Sequence, residues 1–143
     1  MNTDYNKILI DLISITGNKY ILSGKWDKQP YINGWRYGNG DALAIVKPGC
    51  LLEMWKVLEI CVNADVIVIM QAANTGLTGG STPYGNDYER PVVIINTLRI
   101  NDIHLINNAK QIISLSGGTL YDLENKLKPF NSCLLYTSDA ADD

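Results

Sequence analysis

Residues 66–83 read VIVIMQAANTGLTGGSTP, and the architecture turns on the change of character inside this stretch. Val66 to Met70 is apolar at every position and β-branched at four of five, which suits a strand covered on both faces. From Gln71 onward the hydrophobic period vanishes. Small residues take over at Ala72, Ala73, Gly76, Gly79, Gly80 and Ser81. They bare backbone N–H groups and let another molecule approach the main chain closely. Consecutive N–H groups in such turns form an anion-binding nest that needs no Lys or Arg. Thr75, Thr78, Ser81 and Thr82 add hydroxyl donors. A phosphate or pyrophosphate is the natural ligand for this arrangement, although composition by itself fits a mobile surface loop equally well.

Two phosphate motifs are excluded. A P-loop requires Gly-Lys-Ser/Thr after its glycines, and the chain has none. A dinucleotide-binding fingerprint requires G-x-G-x-x-G leading into a helix. Gly38-Asn39-Gly40 has Leu43 where the third glycine belongs, and it precedes a strand.

Upstream, Ala42 to Val46 is a short apolar strand before the turn at Lys47, Pro48 and Gly49. A helix follows from about Leu51 to Asn63, with Leu51, Met54, Trp55, Leu58 and Val62 on one face and Glu53, Lys56, Glu59 and Asn63 on the other. Strand, helix and strand over 42–70 predict a βαβ unit with a parallel pair and a right-handed crossover. Trp55 is expected in the core. Residues 4–16 predict an amphipathic helix through Ile8, Leu9, Leu12 and Ile13. Residues 23–41 read as irregular chain.

Downstream, the loop over 71–91 leads to a strand at Val92 to Asn96. Residues 103–107 and 111–115 predict a hairpin across Asn107-Asn108. Ser116-Gly117-Gly118 turns into a helix from Thr119 to Lys128, with Leu120, Leu123 and Leu127 on one side and Pro129 beyond its end.

The 143 residues suffice for one domain, and 46% hydrophobic with 19% charged residues is ordinary globular composition. Disorder, collagen and a disulfide scaffold are excluded. A net charge of -3 gives no general nucleic-acid surface. Three cysteines without a CxxC pair, beside a single histidine, make neither a disulfide framework nor a zinc finger, and no metal site is expected. Asp4 and Asp11 interrupt the N-terminal apolar stretch, so a signal peptide is rejected. No run approaches the roughly 20 apolar residues that span a bilayer.

The last stretch, CLLYTSDAADD from Cys133, has no periodic relation to the helix before it. Without Asp139, Asp142 and Asp143 the charge balance is even. It resembles translated sequencing-adapter read-through, so residues 132–143 are expected to be a non-native tail.

GDALAIVKPG, LLEMWKVLEICVNAD and MQAANTGLTGGSTPYGNDYERPVVIINTLR together resemble the N-terminal flavin-binding region of the quinone-dependent D-lactate dehydrogenases, over roughly residues 17–131. AANTGLT, GSTP and GNDY in sequence are far more specific than a lone glycine motif. The resemblance implies an α+β fold: the FAD-binding domain of the p-cresol methylhydroxylase/vanillyl-alcohol oxidase type, as its first subdomain and the start of its second. Residues 1–131 are then a partial FAD-binding domain.

Carried over residue by residue, Ala72, Ala73, Asn74, Thr75, Gly76, Gly80 and Ser81 hold the FAD pyrophosphate. Gly79 departs from the family, which carries an acid there; its loss leaves anion binding intact. The resemblance further implies oxidation of D-lactate to pyruvate, with electrons passing through FAD to a quinone at the cytoplasmic side of the inner membrane, reached through segments outside this chain. Catalytic residues belong downstream, so this stretch alone is expected to be inactive and to bind FAD weakly or not at all. The alternatives are another FAD-dependent hydroxy-acid or alcohol oxidoreductase of the same superfamily, and a non-catalytic nucleotide-phosphate-binding module.

Other residues have plainer readings. His104 is an ordinary strand position. Cys50 and Cys61 are buried structural thiols. Arg36, between Trp35 and Tyr37, lies in a solvated loop. Asp87, Glu89 and Arg90 make local turn contacts.

Overall fold

The computed structural model describes residues 4–133, which fall into two compact units that divide after Ile100. In the first unit, helix α1 (Tyr5–Thr16) begins at Asp4, whose carboxylate accepts from the N–H groups of Asn6 and Lys7 at 3.1 and 3.2 Å. That satisfies donors which a helix start otherwise leaves orphaned. Gly17 ends the helix at φ +84°, its N–H bonded to Ile13 O at 2.8 Å.

A 3₁₀ turn leads to the short strand β1 (Ile21–Leu22), and α2 (Gln29–Ile32) is a single helical turn inside the stretch expected to be irregular. Strand β2 (Ala44–Val46), helix α3 (Leu51–Asn63), strand β3 (Ile67–Gln71) and strand β4 (Val92–Asn96) follow. The sheet order is β1-β2-β4-β3. β2 and β3 both run parallel to β4, with Ala44 opposite Val93 and Gln71 opposite Asn96, and β1 is antiparallel to β2.

The expected strand–helix–strand is present and its strands are parallel, but they are not neighbours, because β4 inserts between them. The doubly covered strand is therefore β4, buried at all five positions, while β3 is an edge strand with Met70 48% exposed. Alternation sorts the central side chains. Ala44, Val46, Val93 and Ile95 face Leu12 of α1 and Val57 and Cys61 of α3. Ile45, Val92 and Ile94 pack with Ile32 on the other side. Each fully buried aliphatic side chain there contributes roughly 1.5–3 kcal/mol.

Helix α3 has the expected bounds but a different inner face. Val57 and Cys61 are buried, whereas Trp55 is 58% and Val62 66% exposed. Leu51 and Leu58 are exposed as well. Burial pushes the Cys61 thiol up to about 11, as a low-dielectric site disfavours the thiolate. Cys50, by contrast, is exposed. It stands at the start of α3, where Glu53 reaches back to accept from the Gly49 N–H at 2.7 Å.

In the second unit, β5 (Ile103–Ile106) and β6 (Gln111–Ser114) form the expected antiparallel hairpin. Its loop is four residues long, not two. Asn107, Asn108 and Ala109 all take positive φ, and Lys110 N–H closes onto Asn107 O at 3.2 Å. Helix α4 (Leu120–Leu127) starts at Thr119, whose hydroxyl oxygen accepts from the Asp122 N–H. Leu123 and Leu127 pack with Ile103 and Ala109, while Leu120 is exposed. His104 is an exposed strand position on β5. Of the tail expected to be non-native, residues 134–143 lie outside the described residues. Ser132 still bonds through its N–H to Leu127 O, and Cys133 is exposed.

Candidate functional site at the ends of the parallel strands

β2, β4 and β3 finish at the same end of the sheet, and the small-residue loop leaves that end directly after β3. Two polar side chains close the strands there. Gln71 is 2% and Asn96 1% exposed, and they are cross-strand partners in the ladder. Gln71 Nε2 donates to Tyr31 O and to Ser81 O, each at 2.8 Å. Gln71 Oε1 accepts from Asn96 Nδ2 at 3.2 Å, and the same Nδ2 donates to Ala72 O at 2.9 Å. Thr97 bonds Gln71 O through both its N–H and its hydroxyl. Sequence reasoning missed this network. The available signal was a single polar residue ending each of two apolar runs, IVIMQ and VVIIN.

A brace of side chains shapes the loop itself. Asn74 takes φ +57°, a left-handed position that a short polar side chain tolerates. Its Nδ2 donates to Asn33 O at 2.8 Å, and its Oδ1 accepts from Ser81 Oγ at 2.9 Å. Thr82 is buried and its hydroxyl donates to Gly79 O at 3.3 Å. Two of the four hydroxyls expected to serve a ligand are thus spent inside the chain. Thr75 and Thr78 stay exposed.

The glycines divide into two kinds. Gly38 (φ +90°) has Thr82 Oγ1 only 1.9 Å from where a Cβ would stand, and Gly79 (φ +74°) has Tyr37 backbone at 3.1 Å. Gly40 forms a bridge to Gly85. The 34–40 stretch therefore packs closely against the loop, and its glycines serve the chain's own fold. Gly76 has nothing within 4 Å, and Gly80 only Thr78 Oγ1 at 3.9 Å; neither has a φ that demands glycine. Their bareness leaves room on the outer side of the loop.

The amide N–H groups of residues 73–81 have no acceptor among the described residues. The seven expected site residues are thus brought together in one loop, but in different capacities. Asn74 and Ser81 brace it through their side chains, and Ala72 is tied to Asn96 through its carbonyl. Ala73, Thr75, Gly76 and Gly80 lie exposed along it. Unspent amides beside open space fit an anionic group such as a pyrophosphate. Among the described residues no Lys or Arg side chain bonds to residues 72–81, and no group of three His, Cys, Asp or Glu is placed to hold a metal ion.

Arg36 is exposed, as expected of a solvated loop. Arg90 is not a local turn contact: it pairs with Asp65 at 2.6 Å, across 25 residues. A cavity of about 640 Å³ opens where the strands begin, lined by Tyr5, Leu9, Asn86 and Tyr88 among others. Of its charged lining, Lys28 pairs with Asp41 at 2.7 Å and Arg90 with Asp65, while Glu89 is exposed.

No protein-family model matches the chain. The solved structure of p-cresol methylhydroxylase with substrate bound superimposes with a TM-score of 0.74 at 17% identity, over 92% of this chain and 26% of that one. The fold is that of the FAD-binding domain of the p-cresol methylhydroxylase/vanillyl-alcohol oxidase type. By sequence, the chain matches a segment of quinone-dependent D-lactate dehydrogenase. It is 56% identical over 124 residues to the protein of that name from Haemophilus influenzae, covering 87% of the chain and 22% of the relative. It is 51% identical over 127 residues to the one from Escherichia coli, covering 89% and 22%. The chain thus spans about a fifth of the length of the curated relatives it matches.

Proposed function

We propose that the complete protein is an FAD-dependent D-lactate dehydrogenase that delivers electrons to a quinone, and that residues 72–81 hold the FAD pyrophosphate. One observation carries the site: a run of amides without acceptors, beside glycines that the fold does not need, at the finishing end of three parallel strands. Ala73, Thr75, Gly76 and Gly80 present the main chain to the phosphate oxygens. Ala72, Asn74 and Ser81 hold it in shape. Each amide donated to a charged oxygen contributes on the order of 1.5–3 kcal/mol, so several suffice without a cation.

When bound, FAD supplies the acceptor for the C2 hydride of D-lactate, giving pyruvate, and a route for the two electrons to the quinone. The base that takes the hydroxyl proton belongs to the portion beyond this chain. Residues 1–131 then form part of the flavin domain, and 132–143 are foreign to it. Among the described residues no helix is long and apolar enough to cross a membrane; the proposal assigns contact with the quinone's membrane, on its cytoplasmic side, to other segments. The test is flavin absorbance in the purified complete protein. D-lactate should bleach it, and other 2-hydroxy acids should do so more slowly. A protein without flavin, or flavin unchanged by D-lactate, overturns the reading.

A further inference from the structure

We infer that Gln71 is a positioning residue for the cofactor loop, acting through Ala72 and Ser81 and not by touching the cofactor; the inference rests on the FAD reading above. The Gln71 carboxamide uses both Nε2 hydrogens on carbonyls, those of Tyr31 and Ser81, while its Oε1 takes Asn96 Nδ2. Asn96 in turn holds Ala72 O. One buried pair of side chains therefore fastens both ends of the loop, residue 72 and residue 81, to the sheet. The span between those two points sets the curve of the main chain that carries the intervening, unspent amides. The position needs two donors and one acceptor on one planar group. A carboxylate of the same shape offers no donor, and a methionine of similar length offers neither.

The contrast gives a test with a pH signature. In Gln71→Glu an oxygen replaces Nε2 and faces two carbonyl oxygens. Burial and those carbonyls favour the neutral carboxyl and raise its pKa, so acid restores one O–H donor. In the complete protein, Gln71→Glu should bind FAD at least ~10-fold more weakly at pH 8 and recover most of that at pH 5.5. Wild type should show no such recovery, and Gln71→Met should bind weakly at both values. With FAD saturating, turnover of D-lactate should stay within about twofold of wild type, which a general loss of structure would not allow.

If wild type binds no FAD, the earlier reading fails before any variant is made. If wild type binds FAD and both variants hold it within about twofold at pH 8, the positioning role is overturned while the FAD reading stands. If Gln71→Glu does not fold, Gln71→Met decides. If neither folds, Gln71 is a residue of the fold alone, and the inference is overturned.

Discussion

Where β2, β4 and β3 finish, the amides of residues 73–81 have no acceptor among the described residues and no ion pair stands by; where the same strands begin, two ion pairs stand, Lys28 with Asp41 and Arg90 with Asp65. At that beginning end Lys28, only 8% exposed, bonds both the Asp41 carboxylate and Ala42 O, and Arg90 meets Asp65. The beginning end also opens onto a cavity of about 640 Å³. Concavity alone would put a site there; the proposed site lies at the other end, where unspent amides stand beside Gly76 and Gly80, glycines with open space where a side chain would go. On the proposed reading, glycines that the fold does not need, set beside free amides, mark the ligand-facing end better than empty volume does.

The comparison sharpens at two glycines of the finishing end. Gly38→Val places a β-branched side chain at φ +90° with Thr82 Oγ1 1.9 Å from its Cβ. Left-handed strain and overpacking together should cost about 3 kcal/mol or more of folding stability, read by denaturant melting of the complete protein. Unchanged stability would mean that the 34–40 stretch does not pack against the loop. Gly80→Val should do the reverse. Its Cβ meets only Thr78 Oγ1, at 3.9 Å, so the melt should move by less than ~0.5 kcal/mol. FAD affinity should nonetheless fall ~100-fold or more, as two or so charge-assisted bonds are blocked. A normal yellow holoenzyme from Gly80→Val would remove the loop from the cofactor site.

The sequence announced the loop and the elements around it, because Gln71 to Pro83 breaks period so abruptly after an apolar strand. It did not announce which side of α3 faces inward. Nine of the thirteen residues in LLEMWKVLEICVN are apolar, so periodicity offers almost every face, and the choice falls to contact with α1 and the sheet through Val57 and Cys61. Sheet order was equally hidden. VIVIM and VVII are both apolar throughout, and nothing local says that the later strand takes the middle. At the site, the unspent amides follow from composition, but the brace does not. Asn74–Ser81 and Gln71–Asn96 are pairings across 7 and 25 residues, and a spacing of that kind carries no signal until the chain is folded.

The smallest expected effect tests the beginning end. Burial works against ionisation of Asp41, but the bond from Lys28, the Ala42 N–H and the charges of Lys28 and Lys25 outweigh it and hold its carboxyl below the ordinary 3.8. A carboxyl depressed in the folded state stabilises the fold above its unfolded value, and the contribution is lost as pH falls through the folded value. The Asp41 side chain is 65% exposed, so the pair is screened. Lys28→Met should therefore cost only about 1 kcal/mol at neutral pH, including the bond lost from Ala42 O. The gap to wild type should hold down to about pH 5 and narrow below about pH 4, as Asp41 is protonated in both. It should not close, because Lys28 still donates to Ala42 O in the wild type. A gap that stays constant to pH 3 would dismiss Asp41 as the partner that matters. Altered FAD affinity in the same variant would mean that the two ends of the sheet are coupled, and the division between an ion-paired end and the proposed ligand-facing end would lose its force.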